Sequence, residues 1–238
     1  MTSANDATIQ ALQWVPFFTK LPPEEANDLA RRLVRRRFSS NQIIFHHGDP
    51  GGLLYIIDKG KVKIAHSSPD GNEALLAILG AGQFFGELAL LDDYPRSATA
   101  EALEPTETLT LHRDDFMRYI YENPEFALHV LHTMAQHIRR LNSQLSDVFF
   151  LDLPGRLART LLHLAQQHGK VTTDGVLIDI PLTQTNLAEM TGATRVSVNR
   201  ALGRFRRSKW IKTKGRRFII LDSDALNNLI QISGGAIY

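Results

Sequence analysis

Apolar positions along the 238-residue chain change their period twice. Up to Val34 they recur at helical spacing, which predicts short helices around Ile9–Phe18 and Pro23–Val34, the second opened by Pro-Pro-Glu-Glu. Residues 1 to about 8 are polar and expected to fray. From Phe38 to Leu111 short apolar runs are interrupted by turn signals at His47–Gly52, Asp58–Gly60, Ser68–Asn72, Gly80–Gly82 and Asp92–Pro95. The runs Leu53–Ile57, Lys61–Ala65, Ala74–Leu79 and Thr106–Leu111 read as closely spaced strands, the pattern of a sandwich or small barrel.

After Arg113 the period is helical again. Asp114–Tyr121 predicts a short helix stopped at Asn123-Pro124, and a long helix follows from about Glu125 to Val148. Its apolar residues fall on a heptad: Leu131, Ile138 and Leu145 at one core position, Ala127, Met134, Leu141 and Val148 at the other. Such a stripe on an otherwise polar helix predicts a two-fold dimer seam, with packing inside its own domain as the plainer alternative. His129, His132 and His137 flank the stripe and read as a solvated face.

Phe149–Leu151 ends the long helix. Asp152 then fits an N-cap, with Pro154 in the first turn of a helix through Leu164. Thr183 can cap a helix carrying Leu187 and Met190, Gly192 suits a tight turn, and Thr194 can cap a second helix with an inner face of Val198, Ala201, Leu202 and Phe205. The other face of that second helix then presents Arg195, Val196, Asn199 and Arg200 near its N-terminus, where a recognition helix meets base edges. Trp210–Thr213 and Arg217–Leu221, joined through Lys214-Gly215-Arg216, predict a basic hairpin wing. The candidate DNA-contacting set is Thr183, Thr194, Arg195, Val196, Ser197, Asn199, Arg200, Lys214 and Arg216.

Charge strengthens that reading. The formal net charge is only +2, yet Leu153–Leu221 holds 13 Lys and Arg against three acids, a local +10. The rest of the chain is therefore at −8. One part is built to meet a polyanion and the other is not. The chain has no cysteine, which excludes disulfides, thiolate chemistry and iron–sulfur clusters. No run of 18 apolar residues predicts a membrane span, and Met1–Gln13 lacks the order of a signal peptide, so a cytoplasmic protein is expected. No nucleophile elbow, Walker loop or dinucleotide fingerprint points to an enzyme. Adjacent His46 and His47 would face opposite ways on a strand, which argues against a metal centre.

Three segments carry a family resemblance across nearly the whole chain: Phe-Phe-Gly-Glu-Leu-Ala-Leu-Leu (84–91) with Pro-Arg-Ser-Ala-Thr (95–99), Leu-Asp-Leu-Pro-Gly-Arg-Leu-Ala (151–158), and Thr-Arg-Val-Ser-Val-Asn-Arg-Ala-Leu (194–202). The sequence resembles the cyclic-AMP receptor/fumarate–nitrate regulator (Crp/Fnr) family. The resemblance implies an α+β architecture: a β-roll (jelly-roll) cyclic-nucleotide-binding sensor over 1–122, a dimerisation helix and hinge over 123–150, and a winged helix-turn-helix over 151–238. It implies double-stranded DNA, a second copy of the chain and RNA polymerase as partners, and cyclic AMP as effector, with no metal, haem or iron–sulfur cluster.

The first of these segments resembles the phosphate-binding cassette of cyclic-nucleotide domains. Arg96 can neutralise the single charge of a cyclic phosphodiester, Ser97 and the backbone N–H groups of Leu88 and Ala89 can donate to its oxygens, Gly86 allows close approach, and Glu87 can accept from the ribose 2′-hydroxyl. By the same alignment Val62, Ile64, Leu76 and Leu79 line the pocket. Two positions depart from the family pattern. Where cyclic-AMP sensors carry Thr followed by Ser or Asn to read adenine, this chain has Leu141 and Asn142, and Leu141 can neither donate nor accept. Val196 stands where Glu is common, which favours a thymine methyl over a cytosine amino group. A regulator of the same family that needs no ligand, its cassette kept as structure, is the alternative.

Overall fold

The computed structural model describes residues 8–235 apart from 10, 11, 13, 14, 16, 17, 19–21 and 69–72. The expected helix around Ile9–Phe18, the frayed start and most of the turn at Ser68–Asn72 thus lie largely outside the described residues. The chain forms two compact units, Met1–Ile138 and Arg139–Tyr238, each taken by itself below.

In the first unit, α1 (Pro23–Arg32) starts with proline in its first turn, carries Glu24 and Glu25 there, and ends on Arg31 and Arg32, all matched to the helix dipole. It stops two residues short of the expected Val34, because Val34–Phe38 is a strand, β1, paired antiparallel with β8 (Thr106–His112). Between them run β2 (Ile43–Phe45), β3 (Leu53–Lys59), β4 (Val62–Ser67), β5 (Glu73–Leu79), β6 (Phe84–Phe85) and β7 (Thr99–Ala102). They form two four-stranded antiparallel sheets, ordered β1-β8-β3-β6 and β2-β7-β4-β5: the β-roll.

Strand alternation then builds two cores from one sheet. On β3, Tyr55 and Ile57 face the second sheet and pack with Val62, Phe85 and Ala100. Leu54 and Ile56 face the other way, into a cluster with Leu109, Leu111 and the helices α2 (Leu88–Leu91), α3 (Arg113–Glu122) and the start of α4 (Pro124–Phe150). Phe126 of α4 is fully buried there, stacked on Phe18 at 5.4 Å and edge-on to Phe116 at 5.8 Å. Burying one such ring contributes roughly 1.5–3 kcal/mol. The heptad stripe behaves differently. Leu131, Ile138, Leu141, Leu145 and Val148 all stand exposed at 57–63%, while Ala127 and Met134 are half-buried.

In the second unit, α5 (Leu153–His168) begins as expected: the Asp152 side chain accepts from Gly155 N at 2.8 Å. The helix runs one turn past the expected Leu164. A sheet ordered β11-β12-β10-β9 follows from β9 (Gly169–Thr172), β10 (Gly175–Ile178), β11 (Ile211–Lys214) and β12 (Arg217–Ile220). It flanks α6 (Gln184–Thr191) and α7 (Arg195–Arg207), and α8 (Ser223–Gly235) closes the chain.

Candidate effector pocket and DNA-binding surface

Arg96 is the centre of the cassette and is almost entirely buried, at 4% exposure. Its backbone is tied to the turn before β3, donating to Asp49 O at 2.8 Å and accepting from Gly48 N at 2.9 Å. Its side chain donates from Nη1 to Gly86 O at 2.7 Å and from Nη2 to Leu53 O at 2.8 Å. The guanidinium carbon lies 4.2 Å over the Phe45 ring and 5.7 Å from that of Tyr55. Arg96 Nε is buried without a hydrogen-bond partner among the described residues. Burial pulls the group below its ordinary pKa, opposed by Tyr55, Glu87 and Asp49; as a guanidinium it stays charged. The structure thus holds a buried cation on two neutral carbonyls, with its Nε donor unused among the described residues.

Gly86 makes this packing possible. Its φ of +84° suits glycine, and a Cβ there would meet Arg96 Nη1 at 2.6 Å. Its role is thus toward Arg96 as much as toward a ligand. Glu87 is buried, and burial raises its carboxyl pKa, with a bond to its own backbone and the charge of Arg96 pulling the other way. Within α2 the first helical bonds run from Leu90 and Leu91 to Glu87 O, so the N–H groups of Leu88 and Ala89 lie ahead of that ladder. Leu88 and Ser97 are exposed, Ala89 buried. Val62, Ile64 and Leu79 join the cluster between the sheets. Leu76 does not: it falls at the register shift of the β4–β5 pair and is 48% exposed. Leu141 and Asn142 belong to the second unit and stand exposed on α4.

Phe45 and Tyr55, on which the guanidinium rests, carry no motif and were not foreseen. Neither was His137, expected on a solvated face: its Nδ1 lies 4.0 Å from Glu87 Oε1, and its ring stacks on Phe84.

The helix-turn-helix is assembled by its caps. Thr183 Oγ1 accepts from Asn186 N at 3.0 Å while Asn186 Oδ1 accepts from Thr183 N at 3.0 Å, a capping box. Gly192 ends α6 in the left-handed region, and Thr194 Oγ1 accepts from Ser197 N at 3.2 Å to start α7. Val198, Ala201, Leu202 and Phe205 are buried as expected; on α6, Ala188 and Thr191 are buried beside Leu187, and Met190 only half so. Arg195, Val196, Asn199 and Arg200 are exposed on the first turns of α7, and Asn199 Oδ1 accepts from Gln184 Nε2 at 3.0 Å.

The basic block divides by partner. Arg156 donates to Leu151 O and Thr191 O, and Lys170, Arg217 and Lys212 pair with Asp179 or Asp174. Arg195, Arg200, Lys214 and Arg216 form no ion pair among the described residues and are exposed. Lys214 and Arg216 flank the Gly215 turn of the β11–β12 hairpin.

A β-roll enclosing a buried arginine, in one chain with a winged helix-turn-helix, is the build of a sensory transcription regulator. Residues 35–123 match the cyclic nucleotide-binding domain family and residues 155–229 the Crp-like helix-turn-helix domain family. The chain is 37% identical over 209 residues to the CRP-like cAMP-activated global transcriptional regulator of Mycobacterium tuberculosis, covering 88% of this chain and 93% of that one. It is 34% identical over 187 residues to the cyclic AMP receptor protein of Thermus thermophilus, covering 79% and 83%. Among solved structures, a CRP-family transcriptional regulator from Thermus thermophilus superposes with a TM-score of 0.68 at 27% identity, over 84% of this chain and 97% of that one. The chain belongs to the Crp/Fnr family of transcription regulators. No helix among the described residues is long and apolar enough to cross a membrane.

Proposed function

We propose that this regulator is controlled by a cyclic nucleotide, cyclic AMP first, and binds an inverted-repeat operator as a homodimer in the cytoplasm. The observation that carries the effector reading is Arg96: a buried guanidinium on two backbone carbonyls, its Nε without a partner among the described residues. Keeping such a cation desolvated costs stability unless an anion repays it. A cyclic phosphodiester supplies one charge and acceptor oxygens for that donor, Ser97 and the N–H groups of Leu88 and Ala89, while Glu87 accepts from the ribose. Two relatives whose names include cyclic AMP support the nucleotide.

The exposed stripe from Leu131 to Val148 supports a seam with a second copy of the chain, since singly exposed leucines are ordinary but a repeating row is not. On this reading residues 1–122 sense, 123–150 dimerise and hinge, and 151–238 bind DNA and, by family resemblance, meet RNA polymerase. The effector biases the arrangement at Phe149–Leu153 and so the placement of the recognition helices.

Calorimetric titration with cyclic AMP and cyclic GMP, on wild type and Arg96→Ala, tests the proposal. Expected is cyclic AMP binding that the variant loses while remaining folded. Operator binding unchanged by either nucleotide, with no heat of binding, would favour the ligand-independent alternative.

A further inference from the structure

The opposite charges of Arg96 and Glu87 are met from α4 by a third titratable group. His137 Nδ1 is 4.0 Å from Glu87 Oε1, beyond hydrogen-bond reach but well within that of a charge–charge interaction. The imidazole stacks on Phe84, centroids 6.1 Å apart with planes 22° from parallel. The Glu87 side chain is 12% exposed and that of His137 45%, so the histidine can exchange protons with solvent while facing a desolvated carboxylate. Arg96 bears on Glu87 from the cassette side, and Asp49 and Tyr55 bear on Arg96 in turn.

Among the described residues Arg96 is the cation of this cluster, and it faces the carboxylates of both Glu87 and Asp49 before any ligand arrives. A cyclic phosphodiester adds a further negative charge that Arg96 cannot also neutralise, where burial disfavours any uncompensated ion. A proton on His137, 4.0 Å from Glu87, offsets that added charge, and histidine, with an ordinary pKa of about 6.5, takes one up readily near neutral pH.

We propose that cyclic-nucleotide binding takes up a proton at His137, so that the effector affinity of this protein rises as pH falls through the histidine range. The inference rests on the reading of Arg96 and Glu87 as the nucleotide site. It predicts that affinity falls by up to about tenfold per pH unit between the pKa values of His137 in the free and bound protein.

The test is titration of the full-length protein with cyclic AMP near neutral pH in phosphate and in Tris, whose ionisation enthalpies differ widely. The same titrations run on His137→Gln and His137→Arg. Wild type should show a buffer-dependent apparent enthalpy that reports proton uptake, together with a sloping pH profile of affinity. Both variants should lose the buffer dependence, and His137→Arg should bind with affinity independent of pH. The half-exposed side chain leaves room for either replacement, and circular dichroism checks that both variants fold. Binding without proton uptake in wild type, or with uptake undiminished in His137→Gln, overturns this inference and leaves the effector reading standing. No cyclic AMP binding at any pH overturns both.

Discussion

Arg96 and Gly86 are fitted to each other: Arg96 Nη1 donates to Gly86 O at 2.7 Å, and a Cβ on Gly86 would lie 2.6 Å from that same nitrogen. The glycine therefore supplies both the acceptor that orients the guanidinium and the space it fills. Gly86→Ala should strain the backbone at φ +84° by about 1 kcal/mol and displace Arg96. The expected outcome is a folded protein, slightly less stable to heat, whose cyclic AMP affinity falls about tenfold or more, equivalent to ~1.4 kcal/mol. Unchanged affinity by calorimetry would mean that the guanidinium does not have to hold this position to bind.

The α4 stripe makes a separate prediction. Ile138→Lys with Leu145→Lys places four like charges in a two-fold seam and removes two exposed apolar residues from each copy. Monomers are expected by sedimentation velocity, with secondary structure retained because neither residue is buried within its own unit. A double variant that still sediments as a dimer would move the interface elsewhere.

Much of this architecture could be read from the chain because its signals are local. Asp152, Thr183 and Thr194 cap the helices they were expected to cap, and Gly192 takes the left-handed turn between α6 and α7. What escaped depended on partners far away in sequence. Val34 was expected to end a helix, yet Val34–Phe38 is an edge strand, two of whose three arginines pair with acids of the same sheet. There, Arg35 pairs with Asp58 and Glu107, and Arg37 with Glu107. β2, β6 and β7 are two to four residues long, too short for a period to register. The cassette was legible as a string of residues, but its aromatic floor at Phe45 and Tyr55 and the approach of His137 to Glu87 are products of the fold.

His163 on α5 gives a stability test in the second unit. Burial, then the charges of Arg140 and His168, lower its pKa to about 4, and its Nε2 has no hydrogen-bond partner among the described residues. In the unfolded chain it titrates near 6.5. Between those values the unfolded state binds the extra proton, so unfolding free energy rises with pH. This contribution is present above about pH 6.5 and is lost on acidification toward pH 4. From pH 7 to pH 5 it amounts to on the order of 1 kcal/mol once partial exposure to solvent is allowed for. His163→Leu should flatten that part of the profile in urea titrations, and a slope equal to wild type would assign the acid sensitivity to other groups.

The last prediction concerns how DNA is read. A two-fold dimer should bind half-sites one helical turn apart, about 34–36 Å. Arg195 and Arg200, exposed on α7 and without ion pairs among the described residues, suit guanine recognition, whereas Lys214 and Arg216 at the wing turn suit phosphates. Arg200→Ala should then cost roughly 1–3 kcal/mol at one base pair and relax preference there, while Lys214→Ala should weaken all sequences alike and reduce the salt slope by about one. Val196 sits between these classes: at 70% exposure beside Arg195, it offers only a methyl surface where a carboxylate would accept from cytosine N4. Val196→Glu should therefore shift the selected half-site toward cytosine at one position. Selection of bound sequences from a random pool by wild type and variant decides it. If both recover the same motif, Val196 does not face the bases, and the base-reading face of α7 must be rotated away from it.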